Sequence, residues 1–271
     1  MPNIGPRRLE ENPEASVHAD PPMIVPAGMT RAAARQHVGR GRDAQAPSGR
    51  SLMEGSGRRP IPARVRVMGR MLNRLIVRAP WIWPVVRGSM RRFFDRSALG
   101  WDDRTGAGSV DHLASLAAAL LRVKPAPERA LEIGTGTGEG ALLIAREFPQ
   151  ASVRGVDISD EMIRAATHKV GLDREGRVAF RVADAARLPY DDESFDLVAH
   201  LNMPPFVGEV VRVLRPGGHV IVASSWGPAT PFYTPSRVLE WGFAKRGVEQ
   251  AAVGEAAGGT YWVGRKPGGP R

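Results

Sequence analysis

The chain has 271 residues, no cysteine and a formal net charge of +10, long enough for one sizeable domain with extensions. The missing cysteines exclude disulfides, thiolate metal ligands and a cysteine nucleophile, and six scattered histidines without a His-x-x-x-His pair argue against a metal site. The charge is uneven: residues 61–100 hold nine basic and one acidic side chain, a net of +8, whereas 101–271 hold 20 basic against 21 acidic, which is not the basic surface of a nucleic-acid enzyme.

Residues 1–60 are rich in Pro, Gly, Ala and Arg and show no periodicity, so they are expected to be a disordered extension. From Arg64 to Ala79 the pattern changes. Arg66, Arg70, Arg74 and Arg78 recur every four residues, with Met68, Met71, Leu72, Leu75 and Ile76 mostly opposite, which predicts an amphipathic helix. Pro80 and Pro84 bracket Trp81-Ile-Trp83 and interrupt it, and a second basic helical piece carries Val85, Val86, Met90, Phe93 and Phe94. This 61–100 segment reads either as a lid over the domain or as a membrane-surface segment, since arginine opposite Trp, Phe and Leu marks interfacial helices. No apolar stretch reaches the roughly 20 residues that cross a bilayer, and the N-terminus lacks the apolar core of a secretion signal. The expectation is a cytoplasmic protein, peripheral at the inner face of the membrane.

Trp101–Gly106 reads as a loop, followed by a helix through Leu113–Leu121 capped by Ser109 or Asp111. Strands are expected near 129–133, 153–157, 178–182, 195–199 and 219–224. Helices fall between them near 138–147, 160–169 (opened by Ser159 or Asp160) and 205–214, and Arg215-Pro-Gly-Gly218 reads as a turn. The alternation predicts an α/β fold with a doubly wound, mostly parallel sheet. A helix near 235–246 and strands at 248–253 and 260–264, turned by Gly258-Gly259, end the sheet in an antiparallel pair.

The chemistry is concentrated in Leu131-Glu-Ile-Gly-Thr-Gly-Thr-Gly138, a glycine-rich turn between strand and helix. About twenty residues on, Asp157 closes the next strand, a pairing that binds a nucleoside through its ribose hydroxyls. No Lys-Ser/Thr follows, which disfavours a nucleoside triphosphate. The glycines fall as Gly-x-Gly-x-Gly rather than Gly-x-Gly-x-x-Gly, which disfavours a dinucleotide oxidoreductase.

Four ordered segments carry a resemblance: Glu132–Gly138, Val156-Asp-Ile-Ser-Asp-Glu-Met162, Ala183-Asp-Ala-Ala-Arg-Leu-Pro-Tyr-Asp-Asp-Glu-Ser-Phe-Asp196, and Glu209-Val-Val-Arg-Val-Leu-Arg-Pro-Gly-Gly218. Over about 101–265 the chain resembles the class I S-adenosylmethionine-dependent methyltransferases, in the small-molecule branch that includes ubiquinone/menaquinone-biosynthesis enzymes. The resemblance implies a Rossmann-like seven-stranded sheet, a methyltransferase domain over 101–271 and S-adenosyl-L-methionine as cofactor. It implies that Gly134, Thr135, Gly136 and Gly138 shape the turn under the methionine part and that Glu132 helps place the methionine amine. Asp157 would accept the ribose hydroxyls, or else cap the following helix. Ile158 and Met162 would flank the adenine, Met162 having core packing as its other reading. Asp184 and the Ala185 N–H would receive the adenine edge.

The acceptor side is expected at His200-Leu-Asn-Met-Pro-Pro-Phe206, beyond the fourth strand. His200 is a candidate base, or a strand cap or cofactor contact, and Asn202 a candidate for orienting a substrate oxygen. Met203 breaks an Asn-Pro-Pro-Phe tetrapeptide, which disfavours an amino-group or nucleobase acceptor. Trp226, Phe232 and Tyr233 are candidates to wall an apolar pocket, suiting a small apolar or lipid-like acceptor. The competing readings are a protein or RNA methyltransferase, and a non-catalytic cofactor-binding protein of the same fold.

Overall fold

The computed structural model describes residues 63–171 and 176–268; the extension expected over 1–60 lies outside them. Strands β1 Arg129–Ile133, β2 Ser152–Asp157, β3 Val178–Val182, β4 Phe195–Leu201, β5 Leu214–Ser224, β6 Glu249–Ala256 and β7 Gly259–Arg265 form one sheet in the order 3-2-1-4-5-7-6. β1 to β5 are parallel, and β7 pairs antiparallel with both β5 and β6. The helices are α1 Ala63–Arg78, α2 Trp83–Ser97, α3 Trp101–Thr105, α4 Val110–Leu120, α5 Glu139–Glu147, α6 Asp160–Val170, α7 Val207–Val213 and α8 Ser236–Ala244. Among the described residues no helix is long and apolar enough to cross a membrane.

The central strands are apolar runs because both their faces are covered. On one face Ala130, Leu197, Ala199 and Ile221 pack with Leu116 and Ala119 of α4 and Ile144 of α5. On the other, Leu131, Ile133, Val198 and Val222 pack with Val210 of α7, Leu239 and Phe243 of α8, and Ile76 and Trp83 from the N-terminal helices. The basic segment therefore contributes to the core. Serine resolves both capping alternatives: Ser109 accepts the His112 N–H at 3.2 Å and Ser159 the Met162 N–H at 3.1 Å.

Three local expectations are corrected. Trp101–Thr105 is a short helix rather than a loop, bounded by Gly100 and Gly106 at φ +65, with the Thr105 hydroxyl closing its turn on the Trp101 carbonyl at 2.9 Å. Arg215–Gly218 lies inside β5, which starts at Leu214 because Leu214 already pairs with Phe195. A register shift between Phe195 and Leu197 absorbs the irregularity. In α1 the face against the domain is Gly69, Asn73 and Ile76, while Met68, Met71 and Leu75 point outward. Gly69 allows the close approach: a Cβ there would stand 2.6 Å from the Pro231 Cβ. The Asn73 amide fixes the rotation by donating to the Tyr233 carbonyl at 3.0 Å and the Thr234 hydroxyl at 2.9 Å.

The topology also places the cleft. The chain winds outward from β1 to β2 and β3, then returns to the other side of β1 with β4. The switch point lies between β1 and β4, at their C-terminal ends, where helices leave in opposite directions and open a crevice.

Candidate cofactor and acceptor site

The turn after β1 is bound to the end of β2. Gly134 and Thr135 donate their N–H groups to the Val156 carbonyl at 2.8 and 3.0 Å, and Gly138 donates to the Thr135 carbonyl at 2.9 Å. Gly134, Gly136 and Gly138 have φ of +70, +52 and +90, the left-handed region that side chains resist. Two of them are needed for different reasons. A Cβ on Gly138 would stand 2.8 Å from Phe180 Cζ and 3.0 Å from the Ala166 Cβ, whereas one on Gly136 would meet nothing within 4 Å. Gly138 is thus required by packing, and Gly136 borders open space that a ligand would fill.

Asp157 stands at the centre of this turn. Its Oδ2 accepts the Gly136 N–H at 3.0 Å and its Oδ1 the Ser159 N–H at 2.9 Å. One carboxylate therefore organises both the glycine turn and the start of α6, so its cofactor and capping roles are compatible. Burial pushes its carboxyl above the usual range, against these backbone hydrogen bonds. Ile158 is half-buried against the core, and Met162 is completely enclosed in α6, the packing alternative rather than an open adenine contact.

Glu132 is buried on the α4/α5 face. It accepts the Thr135 hydroxyl and the Ala141 N–H, and it fills the space a Cβ on Gly140 would need. Desolvation raises its carboxyl from 4.5 to about 7 despite those donors. Thr137 donates to Asp102 at 2.5 Å, and Lys169 pairs with Asp102 at 2.5 Å and Glu139 at 2.7 Å. α3 is thereby fastened to the turn.

One strand further out, Ala183 donates its N–H to the Asp157 carbonyl at 2.8 Å, which carries Asp184 and the buried Ala185 to the same rim. Asp184 is held from two sides. Its Oδ1 accepts Trp83 Nε1–H at 2.6 Å and the Ala186 N–H at 2.9 Å, and its Oδ2 accepts Arg87 at 2.9 Å. α2 continues along this rim: Arg91 pairs with Asp160, and Asp95 accepts the Ser159 hydroxyl at 2.6 Å. Trp83, Arg87, Asp95 and Asp102 are site-building residues that sequence reasoning did not identify. Trp83 and Asp184 are 101 residues apart, and no local pattern links them.

The acceptor side departs further from expectation. His200 is fully enclosed, with the Ile221 backbone as the polar group beside its ring. Burial lowers it from 6.5 to about 4, so it is neutral at pH 7 and a weak base. Asn202, at φ +59, uses its amide on Ser225: its oxygen accepts the Ser225 N–H and its nitrogen donates to the Ser225 hydroxyl, both at 2.8 Å. It is a clasp between the ends of β4 and β5. Met203 folds over the glycine turn, its Sδ occupying the space a Gly134 Cβ would need. Tyr233 lines a cavity of about 300 Å³ with Val222, Ser224, Thr234, Leu239 and Trp262. Trp226 instead packs edge-on against His112, ring centroids 5.4 Å apart.

Residues 130–218 match the family described as a methyltransferase domain. The chain is 36% identical over 150 residues to the ubiquinone/menaquinone biosynthesis C-methyltransferase of Syntrophotalea carbinolica, covering 52% of this chain and 63% of that protein. It is 38% identical over 103 residues to the phthiotriol/phenolphthiotriol dimycocerosates methyltransferase of Mycobacterium leprae, covering 35% of this chain and 37% of that protein. The chain thus spans less than two thirds of each relative. Among solved structures, it resembles a chain in the complex of the Haloferax volcanii Trm112 methyltransferase activator with a methyltransferase, at TM-score 0.52 and 22% identity, covering 64% of this chain and 97% of that one. It also resembles phosphoethanolamine N-methyltransferase 2 of Haemonchus contortus, at TM-score 0.52 and 19% identity, covering 65% and 60%. These likenesses share the Rossmann-like fold.

Proposed function

We propose, from a chain whose residues 130–218 match a methyltransferase domain, that this protein moves a methyl group from S-adenosylmethionine to a small apolar or lipid-like acceptor. The observation that carries the reading is the Asp157 carboxylate, held by the Gly136 and Ser159 N–H groups beside the open space at Gly136. A half-buried acid with lone pairs to spare matches two ribose hydroxyls. Glu132 and the glycine turn would hold the methionine end, and Asp184 with Ala185 the adenine edge. The bound cofactor supplies an activated sulfonium methyl group. The protein's share is alignment of the acceptor and exclusion of water.

The near-neutral balance of residues 101–271, 20 basic against 21 acidic side chains, disfavours an RNA acceptor, and the names of the relatives, a ubiquinone/menaquinone and a phthiotriol methyltransferase, support an apolar one. We also propose that the enzyme is cytoplasmic and works peripherally at an anionic membrane surface. The absence of cysteine and the net charge of +8 over residues 61–100 support that placement.

Calorimetric titration with S-adenosylmethionine and its demethylated product tests the cofactor. Both are expected to bind, and no heat at millimolar ligand refutes the reading. Asp157→Ala is expected to weaken binding by roughly 2–4 kcal/mol, because the ribose hydroxyls lose a charged acceptor. Incubating the enzyme with methyl-labelled cofactor and a lipid extract, then identifying the labelled compound, gives the acceptor.

A further inference from the structure

The rotation of α1 about its axis is fixed by the contacts of Gly69, Asn73 and Ile76 with the domain. At 100° per residue, the opposite side of the helix presents Val67, Met68, Met71 and Leu75. These are 56, 66, 66 and 41% exposed. The apolar surface continues past the helix end, where Trp81 and Val85 are each 77% exposed. Trp83, two residues from Trp81, faces inward onto Asp184, so the two tryptophans divide between solvent and core.

Among the described residues, the charge on this face has one sign. Arg64, Arg74 and Arg78 are exposed among the apolar residues, and no acid among the described residues pairs with them. The sole acid in residues 61–100 is Asp95, which is turned inward onto Ser159. A second copy of the chain on this face would bring arginine against arginine, which is repulsive. An anionic bilayer meets both properties at once: headgroup phosphates pair with guanidinium groups, and the Met, Leu, Val and Trp side chains enter the headgroup–acyl boundary.

We infer that the outward face of α1, together with Trp81 and Val85, docks on an anionic lipid surface. The inference rests on the membrane placement proposed above and assigns it to named residues. α1 and α2 then serve two surfaces. One side seals the core through Ile76 and Trp83, and the other holds the rim that α2 follows along Asp184 and Asp160 at the bilayer, from which an apolar acceptor would arrive without crossing water. Attachment is reversible, because the helix lies on the interface rather than spanning it.

The test uses the full chain with vesicles of phosphatidylcholine alone or mixed with phosphatidylglycerol, at about 0.05 and 0.5 M salt, which brackets strong and weak screening. Sedimentation with the mixed vesicles at low salt is expected, falling about tenfold or more at high salt and with the neutral vesicles. The double variant Met71→Glu, Leu75→Glu is expected to lose sedimentation while keeping wild-type affinity for S-adenosylmethionine. That second readout separates a failure of docking from a failure of the cofactor reading. Absence of sedimentation, equal sedimentation with both vesicles, or an unaffected double variant overturns the inference. So does a dimer in light scattering that the double variant abolishes, which would make a second copy the occupant.

Discussion

The two buried titratable groups nearest the switch point should give the protein opposing pH dependences that single substitutions expose. Glu132 pairs in register with Ala199, and Ile133 with His200, so Glu132 and His200 lie on adjacent strands but on opposite faces of the sheet. Burial raises Glu132 from 4.5 to about 7 and lowers His200 from 6.5 to about 4. For the glutamate, the folded state holds a proton that the unfolded chain has released, so stability falls as pH rises from 4.5 to about 7. For the histidine, the unfolded chain holds the extra proton, so stability rises between about 4 and 6.5. Each displacement corresponds to about 3 kcal/mol between the two protonation states, and the two slopes nearly cancel where they overlap. Urea denaturation across that range should therefore show a shallow profile for the wild type. Relative to it, Glu132→Gln should gain about 3 kcal/mol as pH rises from 4.5 to 7. His200→Leu should lose about as much, relative to wild type, between 4 and 6.5. Groups common to all three proteins, including Asp157 and His219, drop out of these differences. A Glu132→Gln profile parallel to the wild type would refute the argument. It would mean that the N-terminus of α5 and the Thr135 hydroxyl compensate the desolvation of the carboxylate.

Substitutions in the glycine turn should separate folding from binding. Gly138→Ala places a Cβ 2.8 Å from Phe180 at φ +90 and should cost about 2–4 kcal/mol of stability in urea denaturation. Gly136→Ala meets no atom within 4 Å, so it should cost only about 1 kcal/mol yet weaken cofactor binding in calorimetry at least tenfold; equal affinity would remove the open space from the site. Trp83→Phe keeps the edge contact with Phe206, at 5.0 Å between ring centroids, but loses the N–H to Asp184. It should weaken cofactor affinity by about 1–2 kcal/mol with a smaller loss of stability. Unchanged affinity would show that Ala186 and Arg87 suffice to orient the acid.

The sheet, its parallel order and its closing antiparallel pair were legible in the sequence because their signals are local. A five-residue apolar run, a glycine turn and a capping serine each declare an element without knowledge of the rest. The convergence of Glu132, the glycines and Asp157 was legible for the same reason: they lie at strand ends, where the fold itself brings them together.

The acceptor half was not legible. His200 and Asn202 follow the strand that should feed the cleft, and sequence position alone made them candidates. Only the tertiary structure shows His200 fully enclosed in the sheet and Asn202 bound to Ser225. The orientation of α1 was likewise decided by packing. Periodicity gave an arginine stripe and an apolar side, and the larger apolar residues would ordinarily face the core. A close approach at Gly69 and two hydrogen bonds from Asn73 rotated the helix so that Leu72 and Ile76 meet the core while Met68, Met71 and Leu75 face outward. A polar group that finds its partners on burial is specific in direction, whereas apolar surface is satisfied by any apolar neighbour. The pattern of a helix therefore reveals that it has two sides, and the contacts it meets after folding determine which side is covered.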